Sequence, residues 1–191
     1  MRRTTLAAGA VAAATLATLA VHDAAAEPLP AGRLSLVGGG KTGTGRLAND
    51  IGMGYAFGFE AQYAPMGPTQ RLGWGLSWST VWSTFGGGAR VSGTLSMVEM
   101  DLGLRARVAL GAQGNQVLWM GGGGALLRTN DPILDDDRRS HVGPFGAAGI
   151  EGRVRLPWLG WRAIWGVSAR YGLIADGQGT LGLLLSLGAG S

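Results

Sequence analysis

Large apolar residues and small or polar residues alternate between Arg71 and Ser83, with one exception at Thr80–Val81. Leucine, tryptophan and threonine occupy the even positions, and glycine, serine, valine and Arg71 occupy the odd ones. Successive side chains of a β-strand point to opposite faces, so a strand here has one bulky apolar face and one small polar face. A soluble strand would bury the bulky face in a core, whereas a transmembrane barrel strand would turn it towards lipid.

Similar alternation recurs along the chain, and the segments are separated by turn residues. They are Arg33–Gly39, Asp50–Tyr63, Arg71–Ser83, Val91–Leu110, Gln116–Arg128, His141–Leu156, Trp161–Leu173 and Thr180–Gly188. No sustained helical period follows the N-terminal region, and the apolar runs there are too short for a spanning helix. We therefore predict an all-β fold, an eight-stranded antiparallel up-and-down transmembrane β-barrel.

Three of the predicted strands have local features that bear on their assignment or orientation. Gln116–Arg128 contains four consecutive glycines and is the weakest strand prediction. In Val91–Leu110, the apolar residues Leu95 and Met97 are out of phase with those that follow, which predicts either a β-bulge or an extension that does not contact lipid near Met97–Val98. In Asp50–Tyr63, the large residues from Ile51 to Tyr63 are predicted to form the outward face.

The N-terminus has the layout of a cleaved secretory signal peptide. Arg2 and Arg3 precede an apolar stretch, and the small residues Ala24–Ala26 precede Glu27. We expect cleavage after Ala26, which divides the chain into a signal peptide, 1–26, and a barrel domain, 27–191. The sequence contains no cysteine, so neither a disulfide framework nor a thiolate site is expected.

The distribution of charge favours lipid on the outside of the barrel. Charged residues of both signs fall on the small-residue face of the strands, and lysine is almost absent from the strands. A soluble barrel would carry its charges outside and its apolar residues inside. The alternative that remains is a secreted lipocalin-like barrel that binds an apolar ligand in its interior.

The charged residues of the small-residue face are predicted to fill the half of the lumen next to the predicted short turns. The set is Glu60, Arg71, Glu99, Asp101, Arg105, Arg107, Glu151, Arg153, Arg155 and Arg162. A buried charge without a partner costs several kcal/mol, so we expect a network of salt bridges that closes the barrel. Because arginine outnumbers the acids in this set, a narrow, weakly anion-preferring pore is the alternative.

Aromatic residues with a polar atom favour the edges of a membrane. Those next to the predicted short turns are Tyr63, Trp74, Trp119, Trp158 and Trp161; those towards the opposite end include Trp82, Tyr55 and Tyr171. We predict that these residues form the aromatic girdles of the barrel.

In this pattern the chain resembles the small eight-stranded outer-membrane barrels of the OmpA membrane-domain and OmpX-like class. The resemblance implies residence in the bacterial outer membrane as a monomer in contact with lipid, and assembly by the barrel-assembly machinery. It also implies periplasmic termini, short periplasmic turns and four surface loops, Gly40–Asn49, Thr84–Arg90, Thr129–Ser140 and Ala175–Gly179. The chain departs from the class at its end, Leu187–Ser191, which lacks the usual terminal aromatic residue.

Catalysis, cofactors and nucleic-acid binding are not expected. His141 is the only histidine after the predicted cleavage site, so an outer-membrane lipid-modifying enzyme would have to use it. Its neighbour Ser140 points to the opposite strand face, and nothing selects Ser83, Ser92 or Asp137 as a partner. The run Asp135–Asp137 could bind a divalent cation, but consecutive acids more often form a solvated loop. We predict a structural or surface-binding role and no enzyme activity.

Overall fold

The computed structural model describes residues 29–66, 71–87, 93–110, 116–130, 139–156, 161–175 and 178–190. Within these residues, eight strands follow one another, and one short helix, α1 (Leu47–Asp50), lies between the first two. The strands are β1 (Gly32–Thr44), β2 (Ile51–Tyr63), β3 (Leu72–Gly87), β4 (Thr94–Leu110), β5 (Gln116–Thr129), β6 (Ser140–Leu156), β7 (Trp161–Ala175) and β8 (Gln178–Gly190).

Each strand pairs antiparallel with the next, and β8 pairs with β1 to close the barrel. The predicted eight-stranded up-and-down barrel is thereby confirmed. The start of β1, the end of β8 and the connections after β2, β4 and β6 lie at one end, which we call the turn end. The connections after β1, β3, β5 and β7 lie at the other end, which we call the loop end. No helix among the described residues is long and apolar enough to cross a membrane.

Six of the eight strands are longer than the sequence predicted, mainly at the loop end, whereas β2 and β4 begin later than predicted. β1 continues to Thr44, so the predicted surface loop Gly40–Asn49 is wrong in its first half. The three consecutive glycines before Lys41 gave this stretch the composition of a loop, yet they pair regularly with β2 and β8.

The strand register contradicts the predicted β-bulge near Met97–Val98. The pairing of β4 with both β3 and β5 is continuous through these residues. An irregularity lies instead between Ile51 and Gly54 of β2. Because one extra residue shifts the alternation, Ile51 is fully buried and its predicted outward orientation is wrong.

The outside of the barrel is apolar and exposed. Tyr55 is 85% exposed and Trp74 is 65% exposed. Other exposed apolar side chains include Leu34, Leu36, Phe57, Leu76, Leu102, Leu104, Leu118, Met120, Val142, Leu183 and Leu187. A continuous surface of this kind far exceeds what soluble monomers expose and is typical of a lipid-facing barrel.

The inside of the barrel has apolar layers as well as charged ones. At the loop end, residues from several strands and α1 form one buried apolar cluster: Leu47, Ile51, Phe85, Leu95, Met97, Leu127 and Ile174. Leu95 and Met97 belong to it because they share an inward face with Glu99, two residues further along β4. A smaller cluster, Leu29, Val117 and Ile164, lies near the turn end. The charged side chains lie between these two apolar clusters.

Candidate functional site: the charged lumen

The first charged cluster lies towards the turn end and joins four strands. Arg105 of β4 donates from Nη1 to Glu60 Oε1 at 2.7 Å and also pairs with Glu151 of β6. Arg33 of β1 contacts the same two carboxylates, at 3.3 Å from Glu60 and 3.1 Å from Glu151. Arg107 lies 3.8 Å from Glu151 and donates to two backbone carbonyls. Two acids are thus bridged by planar, multi-donor guanidinium groups.

The second charged cluster lies further towards the loop end. Lys41 of β1 pairs with Glu99 of β4, and Arg170 of β7 lies 3.4 Å from the other oxygen of Glu99. Arg170 also pairs with Asp101, and it donates to Ser79 Oγ at 2.7 Å. The hydroxyl of Ser79 in turn lies 3.0 Å from Asp101 Oδ2. The expectation that the charges are confined to the periplasmic half is therefore too narrow.

Two of the buried arginines, Arg105 and Arg170, each lie against an aromatic ring. The guanidinium of Arg105 lies 3.5 Å from the ring centroid of Trp119, and that of Arg170 lies 5.0 Å from the ring of Phe145. Cation–π contacts of this kind stabilise a desolvated guanidinium by about 2 kcal/mol. The rings therefore hold the arginine side chains in place away from bulk water.

The cavity between the two charged clusters is small. A cavity of about 20 Å³ lies between the two charged clusters, lined by Glu60, Ser79, Asp101, Arg105, Trp119 and Arg170 among others. This volume suits about one water molecule. Pockets for small ligands are usually larger than about 300 Å³, so this cavity cannot hold an apolar ligand of the lipocalin kind.

The structure places the predicted lumen charges as follows. Six of them are buried and take part in the two clusters: Glu60, Glu99, Asp101, Arg105, Arg107 and Glu151. Arg153 is half-buried. Arg155 and Arg162 oppose each other on β6 and β7, and their side chains lie outside the described part of the structure. The placement of Arg71 in the lumen is wrong, since it precedes β3 at the turn end and is exposed.

Sequence reasoning missed three lumen cations. Arg33, Lys41 and Arg170 are buried and ion-paired. Arg170 shares the small-residue face of its strand with Ser168 and Gly166, and this signal could have identified it. Lys41 lies in a stretch that the sequence predicts to be a loop. Arg33 is the first residue of its predicted strand, where no preceding residues show which face its side chain occupies.

The structure also places most of the predicted girdle aromatics. Tyr63 and Trp74 are exposed on the outside near the turn end. Trp82 stacks on the exposed Phe57, with ring centroids 5.8 Å apart, and Tyr171 is exposed on β7. Trp119 is only 8% exposed and faces Arg105, so its assignment to the girdle is wrong. Trp158 lies outside the described residues, and only the backbone pairing of Trp161 is described.

His141 is half-buried and lines a cavity of about 10 Å³ together with Glu99. Its Nε2 atom has no hydrogen-bond partner, and Ser140 beside it is exposed. Ser83 is buried, while Ser92 and Asp135–Asp137 lie outside the described residues. Within the described part of the chain, no group of three or more histidines and acids could hold a metal ion.

Comparison with known proteins relates this architecture to two solved structures. The crystal structure of Neisserial surface protein A matches with a TM-score of 0.57 and 12% identity, covering 84% of this chain and 97% of that one. Ail, the attachment invasion locus protein of Yersinia pestis, matches with a TM-score of 0.53 and 12% identity, covering 84% and 98%. No protein-family model and no curated protein sequence matches. The chain has the fold of the small eight-stranded outer-membrane β-barrels.

Proposed function

We propose that this chain is an integral protein of a bacterial outer membrane with a structural or surface-binding role. The observation that carries the proposal is the reversed distribution of residues, with large apolar side chains outside and ion-paired charges inside the barrel. The apolar outer face suits contact with lipid. Because the sheet is closed, no strand edge exposes unpaired backbone N–H and C=O groups to lipid. The fold shared with Neisserial surface protein A and Ail supports the same location.

In this proposal the turn end faces the periplasm and the loop end faces outward. The loop-end connections after β1, β3, β5 and β7 are then the region that contacts partners at the cell surface. Ail is named for attachment and invasion, and a surface-binding role of the same general kind suits a barrel whose lumen is filled. We further propose that the chain is monomeric and is inserted by the barrel-assembly machinery.

The location is tested by expression in a Gram-negative host followed by membrane fractionation. We expect the protein in the outer-membrane fraction, with heat-modifiable migration on a detergent gel and an N-terminus at Glu27. Recovery as a periplasmic protein that is soluble without detergent would contradict the proposal.

We propose that the lumen is closed by its two charged clusters. Their paired side chains join strands across the lumen, and apolar clusters lie beyond them at both ends. Purified protein in planar bilayers is therefore expected to show no resolvable channels. Reproducible anion-preferring conductance steps would contradict a closed lumen and support the narrow pore instead.

A further inference from the structure

The three residues before β1 lie across the turn-end mouth of the barrel. Leu29 is only 6% exposed and packs in the lumen against Val117 of β5 and Ile164 of β7. A chain leaving a strand at the edge of a barrel could run into water, and a buried leucine at this point requires the chain to turn inward. The segment thus contacts walls that are distant from β1 in the barrel.

Polar contacts fix the segment in this position. Arg107 Nη1 donates to Pro30 O at 3.1 Å and to Ala64 O at 2.9 Å. The amide of Ala64 donates to Ala31 O at 2.8 Å. Arg107 is 1% exposed, so its donors have been removed from water and depend on these carbonyls.

The end of the last strand is shaped to accept the same segment. Gly190 of β8 has no side chain, and a Cβ atom there would collide with the ring of Pro30. The segment is therefore in contact with residues of β4, β5, β7 and β8 and with the end of β2.

We propose that residues 29–31 form an N-terminal plug that closes the turn end of the lumen, with Arg107 as the positioning residue that clamps it. The plug keeps periplasmic water from the ion pairs formed by Arg33, Arg105 and Glu151. Displacing the plug opens this mouth only, since the apolar cluster at the loop end remains in place.

The absence of cysteine from the chain allows a direct test by single-cysteine labelling of the full mature protein in detergent. Val117→Cys, beneath the plug, should react slowly with a small charged methanethiosulfonate. Adding Leu29→Asp should accelerate this reaction roughly tenfold or more, because the plug loses its buried apolar anchor. Leu29→Met should leave the rate low.

The matched control is Leu118→Cys, the next residue along β5, which faces outward. Its labelling rate should be the same with and without Leu29→Asp, which shows that the barrel itself has not opened. The plug proposal would be overturned if Val117→Cys reacted at the same rate with and without Leu29→Asp, or if it already reacted fast without Leu29→Asp. Failure of the outer-membrane proposal would instead appear in fractionation.

A second measurement covers the case in which Leu29→Asp does not fold. The double variant Leu29→Cys/Ile164→Cys should be joined within one chain by a short bifunctional thiol reagent. Leu29→Cys paired with the outward-facing Leu187→Cys should not be joined. No cross-link in the first pair, or equal cross-linking in both, would overturn the proposal.

Discussion

Lys41 of β1 and Glu99 of β4 form an ion pair inside the barrel, and each side chain is only 1% exposed. They lie 58 positions apart in the sequence, on strands that are not neighbours in the sheet. The pair therefore spans the lumen and links two walls. Arg170 contacts the same carboxylate at 3.4 Å, so Glu99 is shared between two cations.

Replacing Lys41 by methionine should destabilise the barrel. The remaining charges would no longer be balanced, and breaking a buried ion pair by removing one partner costs about 3 kcal/mol. We expect a decrease of that order in the free energy of unfolding, measured by urea titration in lipid vesicles. Lys41→Arg, which retains the charge, should cost less.

The double variant Lys41→Met/Glu99→Gln is the control for this mechanism. It removes both charges together, so it should recover part of the stability lost in Lys41→Met. If Lys41→Met is as stable as the parent, the pair does not support the lumen.

A charge introduced on the outer face should lower the free energy of unfolding more, the deeper it lies in the membrane. Leu102 lies near the middle of β4, whereas Val108 lies on the same face close to the turn end. Arginine costs about 2–4 kcal/mol at the bilayer midplane and about 0–1 kcal/mol near the interface. Leu102→Arg should therefore reduce the free energy of unfolding in vesicles much more than Val108→Arg. Similar losses for both variants would argue against a membrane centred on this part of β4.

Alanine substitutions at two adjacent glycines of β5 should have different effects on the stability of the barrel. A Cβ atom at Gly123 would meet the carbonyl oxygen of Leu102 on β4, whereas one at Gly124 would meet no atom within 4 Å. Gly123→Ala should destabilise the barrel by about 1–3 kcal/mol through overpacking. Gly124→Ala should be neutral or stabilise it by up to about 1 kcal/mol, because alanine restricts the unfolded chain. Urea titration of the two variants side by side makes this comparison, and a reversed order would contradict the close approach of β4 and β5.

Alternation alone was sufficient to predict the eight strands and most of the outward face. It works in the middle of the strands because lipid and lumen demand opposite side chains there. In β3, Leu76 and Trp78 alternate with Ser77 and Ser79, and each pair of neighbours identifies both faces. The bounds of the strands at the loop end were less predictable, since stretches such as Gly40–Thr44 of β1 contain no large apolar residues that alternate with small ones.

The errors arise where the lumen itself is apolar or where size contrast is missing. Leu95 and Met97 were read by residue type as a change of phase, although the parity set by Glu99 places them inside. Trp119 precedes four glycines, which give no contrast from which to read its face. Lys41 follows three glycines that have the composition of a loop. For Lys41 and Trp119, the partners that explain their buried positions, Glu99 and Arg105, are on another strand, and the periodicity of a single strand carries no information about them.

In the proposed location, the outer face of this barrel contacts lipid while the inner face is closed to it. Trp74 and Trp119 represent the two faces, at 65% and 8% exposure. Single-tryptophan variants, with the other tryptophans replaced by phenylalanine, can be reconstituted into vesicles of brominated lipid. We expect strong quenching of Trp74 fluorescence and much weaker quenching of Trp119. Equal quenching of both residues, or no quenching of Trp74, would contradict the account.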